Sequence, residues 1–172
     1  MCGIVGIIGQ EPVAGRLVDA LRRLEYRGYD SAGVATIHDG RLDRRRAEGK
    51  LFNLEKKLDE EPLPGIIGIA HTRWATHGVP NVTNAHPHFV DGVAVVHNGI
   101  IENFSELKDE LVSDGAVFQS QTDTEVVAHL LAKYRREGMS QRQAMLAMLN
   151  RVSGAYALVV IFQDDPNTIM AA

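Results

Sequence analysis

At 172 residues, with 45% apolar and 23% charged residues, the chain has the make-up of one globular domain with a sizeable core, or of part of a larger protein. Its net charge of −4 argues against non-specific nucleic-acid binding, and no apolar stretch approaches the ~18–20 residues that cross a bilayer. One cysteine excludes an internal disulfide, and no basic-then-apolar leader opens the chain, so a cytoplasmic protein is expected.

Cys2 to Ile8 is a short apolar run ending at Gly9 and reads as a buried strand. Val13, Leu17, Leu21 and Leu24 follow at helical spacing, and Tyr26 to Ser31 (YRGYDS) reads as a loop. Asp39-Gly40 between Ala32–His38 and Leu42–Ala47 signals a hairpin. Leu51, Leu54 and Leu58 predict a short helix, and Ile66 to Ala70 a strand. An irregular stretch from His71 to His88 comes next, and loops of that length in compact domains are usually functional. Val93 to Val96 reads as a strand ending at His97-Asn98-Gly99, where Asn-Gly by itself is a turn.

Three helices are expected in the second half. One spans Phe104 to Val112, and one opens at a capping box, Thr122 to Glu125, and ends near Glu137. The third follows a second box, Ser140 and Gln143. Strands Ala155–Phe162 and Thr168–Ala171 close the order around an Asp-Asp-Pro-Asn turn. The last strand runs to the end of the sequence without a polar tail, as in a domain truncated there. Strands and helices do not alternate strictly, which favours α+β with a largely antiparallel sheet.

Cys2 is where chemistry is expected. The initiator Met is normally trimmed before a residue this small, which would leave a thiol and a free α-amine on one residue. With reference pKa values of about 8.5 and about 7.7–8.0, the amine can take the thiol's proton near neutral pH. Nucleophile and base then share one residue. The competing reading is an inert buried cysteine at the start of a strand.

The opening Met-Cys-Gly-Ile-Val-Gly is followed in order by LRRLEYRGYDSAG from Leu21, HTRWATHG from His71, NAHPH from Asn84, VHNGIIEN from Val96 and TDTE from Thr122. Together these closely resemble the glutaminase (type 2 glutamine amidotransferase) domains of the glutamine–fructose-6-phosphate aminotransferases, the glucosamine-6-phosphate synthases. The resemblance covers essentially the whole chain. It implies a four-layer αββα sandwich of the N-terminal nucleophile hydrolase class, with largely antiparallel sheets. Residues 2–172 would be the glutaminase domain, without the C-terminal sugar-phosphate isomerase domains of the full-length enzyme.

The same resemblance implies L-glutamine as substrate, fructose 6-phosphate as acceptor on the absent domains, and a homodimeric full-length enzyme. It implies no cofactor, metal, nucleic acid or membrane partner. Cys2 would be the nucleophile, and Asn98 and Gly99 the oxyanion hole, which calls for preorganised donors. Arg73 can hold the substrate carboxylate in a planar fork, and Asp123 can pair with its ammonium. Trp74, Thr76 and His77 would complete the loop around the substrate. Arg27, Gly28 and Asp30 would lie in a loop beside the nucleophile, and Arg27 would help shape the site.

His71, His86 and His97 match family positions as structural hydrogen-bonding residues. The seven histidines show no zinc-ligand spacing, and His86-Pro87-His88 is too constrained for a convincing chelate. Arg44-Arg45-Arg46 reads as a solvated hairpin face, because acidic residues flank it. Amidophosphoribosyltransferases carry an HRGQD-like segment, and asparagine synthetases an HRGPD-like one, where this chain has YRGYD. A rival of another class is a non-catalytic module that kept the fold.

Overall fold

The structure is a computed structural model and describes residues 2–25, 28–74 and 78–172. Its first sheet contains β1 (Gly3–Ile8), β2 (Ser31–His38), β3 (Arg41–Glu48) and β4 (Ile67–Arg73), in the order β1-β4-β2-β3. The second contains β5 (His88–Val90), β6 (Val93–Ile101), β7 (Gly154–Phe162) and β8 (Asp165–Ala171), in sequential order. Every pairing is antiparallel. The β2–β3 hairpin turns at Asp39-Gly40 with φ of 48° and 70°, the two positive values a two-residue turn of this twist needs.

Alternation along the strands builds the layers, because successive side chains face opposite ways. Ala35, Ile37, Ile67 and Ile69 of the first sheet meet Ala94, Val96 and Ile161 of the second in a core between the sheets. The opposite parity of the first sheet, including Ala32, Val34 and Ala70, packs on Leu17 and Leu21 of α1 (Ala14–Arg22) and Leu51 and Leu54 of α2 (Leu51–Glu60). Val93, Val95, Leu158, Val160 and Phe162 of the second sheet pack outward. They meet α3 (Phe104–Ser113), α4 (Glu125–Arg136) and α5 (Gln141–Leu149). The result is the α+β, four-layer αββα sandwich expected. No described helix is long and apolar enough to cross a membrane.

Several boundaries differ from the sequence reading. β4 runs on to Arg73, and β6 continues through Asn98-Gly99, pairing them with Ala157 and Tyr156, so this Asn-Gly is not a turn. Tertiary pairing with β7 overrides the local preference. β8 starts at Asp165, so the β7–β8 turn is Gln163-Asp164 rather than Asp-Asp-Pro-Asn.

The Ser140–Gln143 capping box forms in full. The Thr122–Glu125 box does not: α4 begins at Glu125, and Thr124 before it makes no side-chain cap. These side chains have other partners. The Thr122 hydroxyl meets His88 Nε2 at 2.9 Å, while the Glu125 carboxylate accepts from the N–H groups of Gln119 (2.9 Å) and Ser120 (2.6 Å).

The arginine run is also corrected. Arg44 donates to the carbonyl of Pro87 (2.9 Å), and Arg46 to those of Thr83 (2.9 Å) and Ala85 (2.8 Å). Among the described residues before β5, the carbonyls of Thr83, Ala85 and Pro87 lie outside any strand and draw these donors from the edge strand β3. Burial lowers both guanidinium pKa values, that of Arg46 to about 10 with Arg44 adding to the shift.

Candidate active site

The site forms at one end of the seam between the sheets. In β4, His71 and Arg73 share the parity of Ile67 and Ile69 and so follow the inter-sheet face beyond the apolar core. In β6, Asn98 follows Ala94 and Val96 on the facing surface. Gly3 of β1 pairs with Thr72 of β4 and donates its N–H to the Thr72 hydroxyl (3.1 Å), which delivers Cys2 to the level of Arg73.

The Cys2 thiol lies against the main chain of Trp74. The Trp74 N–H donates to Sγ at 3.1 Å, and the Trp74 carbonyl lies 3.6 Å away as an acceptor for the thiol proton. From the second sheet, Asn98 Nδ2 donates to the Cys2 carbonyl at 3.2 Å. Gly99 is exposed beside it with φ of 112°, and a Cβ there would stand 2.1 Å from the Ala155 carbonyl oxygen. Only glycine fits that backbone.

Arg73 is buried at 3% exposure. Its guanidinium donates to the Gly78 carbonyl (3.1 Å) and pairs with Asp30 at 3.8 Å. Burial lowers its pKa, while Asp30, Cys2 and Asp123 lie near enough to oppose that shift with negative charge. Asp123, just before α4, accepts the Ile101 N–H at 2.9 Å, and its other oxygen lies 3.8 Å from His97 Nδ1. One end of the seam thus brings a thiol, a carboxamide donor, a guanidinium and a carboxylate together.

Arg27, Thr76 and His77 lie outside the described residues. Trp74 is half exposed, and its ring lies so close to Gly28 that a Cβ on that glycine would come within 2.9 Å. Tyr29 is fastened through its hydroxyl, which accepts the Leu51 N–H at 2.7 Å and donates to Glu25. Burial, then the bond to Glu25, pushes its pKa up to about 12.

Sequence reasoning placed Asp30 in a loop beside the nucleophile without naming its partner, and gave Thr124 no role of its own. Asp30 is the partner of Arg73, and its place in YRGYDS was the available signal. Thr124 Oγ1 sits 2.8 Å from both His86 Nε2 and His97 Nδ1, a junction that no linear pattern announces. Burial holds the pKa of His71 down at about 3, against the bond to Asn98, and keeps those of His86 and His88 low. Among the described residues, no three His, Cys, Asp or Glu side chains converge as metal ligands would.

A cysteine at the head of the first strand of an αββα sandwich is the architecture of the N-terminal nucleophile class. Residues 71–172 match the family described as a glutamine amidotransferase domain, and the chain belongs to that family. Over its full length it is 77% identical to a glutamine–fructose-6-phosphate aminotransferase (isomerizing) of Agrobacterium fabrum, and 76% identical to one of Rhizobium meliloti. The chain spans 28% of the length of each relative. A solved glutamine phosphoribosylpyrophosphate amidotransferase from B. subtilis, complexed with ADP and GMP, superposes with a TM-score of 0.80 at 28% identity. That match covers 95% of this chain and 35% of the other.

Proposed function

We propose that this domain hydrolyses L-glutamine to glutamate and ammonia through a glutamyl thioester on Cys2. The observation that carries the reading is the convergence of the Cys2 thiol, the Asn98 carboxamide and the buried Arg73 at one seam. Removal of Met1 frees the Cys2 α-amine, which takes the thiol proton. The thiolate then attacks the side-chain amide carbon of glutamine, and Asn98 Nδ2 with the Gly99 N–H holds the oxyanion. The protonated amine gives its proton to the departing nitrogen, and ammonia leaves the thioester behind. Water, deprotonated by the same amine, attacks the thioester, and the thiolate departs as glutamate forms. Arg73 holds the substrate carboxylate and Asp123 its ammonium, with Trp74, Thr76, His77 and Arg27 lining the site.

In the full-length enzyme the ammonia passes to fructose 6-phosphate on C-terminal sugar-phosphate isomerase domains and yields glucosamine 6-phosphate. The 77% and 76% identical relatives, both glutamine–fructose-6-phosphate aminotransferases, support that acceptor over a phosphoribosyl one. A homodimer joined through those domains, acting in the cytoplasm where phosphorylated hexoses are made, completes the reading.

The test is glutamate release from glutamine by the wild-type chain and Cys2→Ala, beside the intact mass. Turnover abolished by the substitution, in a protein whose mass lacks Met1, is expected. Turnover that survives Cys2→Ala overturns the mechanism.

A further inference from the structure

His71, His86, His88 and His97 are all nearly inaccessible; His86 packs tilted against His71 and edge-on to His88. Ring centroids stand 4.2 Å apart for His71 and His86, and 4.7 Å apart for His86 and His88. The glutaminase mechanism uses none of these rings directly. One of them touches a group that it does use: His71 Nε2 lies 2.9 Å from Asn98 Oδ1, across the seam between β4 and β6.

The polarity of this contact is fixed by its neighbours. At its other end, the Asn98 carboxamide faces the Cys2 carbonyl, which can only accept, so the NH2 group must point there. The carboxamide oxygen therefore points at His71, and that oxygen also can only accept. His71 must then carry its proton on Nε2. Burial leaves a neutral ring with a single N–H to place; the Asn98 oxygen is its stronger partner, the His97 main chain acts on the ring more weakly, and among the described residues Nδ1 meets no acceptor in hydrogen-bond geometry. With the proton on Nδ1, a lone pair would face the carboxamide oxygen, and the amide would turn its oxygen toward the nucleophile.

We propose that His71 is a positioning residue for the oxyanion donor: its Nε2–H fixes which end of the Asn98 carboxamide faces Cys2. This rests on Asn98 being that donor. His86 packs against His71 and anchors on Thr124, beside Asp123, so the device links the oxyanion end of the site to its carboxylate end.

The first test is the tautomer, read by long-range ¹H–¹⁵N NMR on the histidine-labelled chain. A proton on Nε2 of His71 is expected, and a proton on Nδ1 overturns the proposal. The second is kinetic, with His71→Leu and His71→Gln compared for glutamine turnover and for alkylation of Cys2 by iodoacetamide. That alkylation displaces iodide at a saturated carbon and builds no oxyanion. His71→Leu should lower kcat about 100-fold, the size of losing one oxyanion donor, with KM within about twofold of wild type. Its alkylation rate should stay within about twofold as well, and His71→Gln, whose side-chain NH2 can replace Nε2–H, should recover at least about tenfold. A kcat within about threefold of wild type in His71→Leu, a parallel loss of alkylation, or no recovery in His71→Gln each overturns it. The NMR reading does not depend on turnover or on a substituted chain folding. A wild-type chain inactive on glutamine overturns the proposed function instead.

Discussion

Trp74 meets Cys2 through its main chain, with its N–H donating to the thiol sulfur at 3.1 Å. Its ring meanwhile lies over Gly28, where φ is +70°. Position of the Cys2 thiol and packing against Gly28 are therefore joined in one residue. Gly28→Ala would strain the backbone and push the ring, at about 1–2 kcal/mol. Trp74 is the only tryptophan in the chain, so its fluorescence reports the shift directly. A changed emission maximum with turnover reduced about tenfold is expected, and unchanged emission and rate would refute the coupling.

Arg73 and Asp123 are proposed to hold groups of glutamine that do not react. Removing either should weaken ground and transition states alike. Arg73→Ala and Asp123→Ala are expected to raise KM at least about tenfold in steady-state assays while kcat falls less. A defect confined to kcat would reassign both. Asp30→Asn, which removes the negative charge facing Arg73, should raise KM in the same direction by a smaller factor.

The close approach of Gly99 to Ala155 predicts a stability defect as well as a catalytic one. A Cβ at 2.1 Å from a strand carbonyl forces β6 and β7 apart. Gly99→Ala is expected to destabilise by about 3 kcal/mol, or about 6–12 °C in melting temperature for a domain of this size. Differential scanning calorimetry decides it, and an unchanged transition would contradict the geometry.

Arg46 holds the segment before β5 by two carbonyls. Arg46→Ala leaves both without that donor, at about 1–3 kcal/mol for each acceptor that water does not reach. Hydrogen exchange should speed up across residues 83–87 and remain unchanged in α1. Exchange no faster than wild type in that segment would return the arginine to the solvated role its sequence suggested.

The buried histidines set the acid side of stability. His71, His86 and His88 have pKa values below their ordinary range, so below about pH 6.5 the unfolded chain binds protons that the folded chain refuses. Stability therefore rises with pH across the interval from about 3 to about 6.5. With all three contributing, the slope reaches about 4 kcal/mol per pH unit in the middle of that interval. Thermal melts followed by circular dichroism between pH 4.5 and 7.5 should show the melting temperature falling steeply below pH 6. A flat profile would mean these rings are protonated in the folded state.

The layers of the fold were legible because they rest on periodicity. Val34 and Ile37, or Val93 and Val96, declare opposite faces of one strand, and the Asp39-Gly40 turn declares its partner. The motifs also marked the residues that the seam gathers. What stayed hidden depended on partners distant in sequence. Arg44 and Arg46 are satisfied by carbonyls some 40 residues away, and Thr122 by His88, so a charge run and a capping box were each given a local meaning. Asn98-Gly99 was hidden for the same reason, since only pairing with β7 makes a strand of it.

The bond between Asn98 and Cys2 joins residues 96 positions apart, one from each sheet. The first sheet alone presents a thiol with nothing opposite it, and the second a carboxamide with no nucleophile. On the proposed mechanism glutamine turnover is thus a property of the docked pair, acquired when the two halves of the chain have closed on each other. While the chain is being made, Cys2 would lack its proposed oxyanion donor until β6 arrives. Any fluctuation that parts the sheets at that seam should silence the centre before either sheet has lost a hydrogen bond of its own.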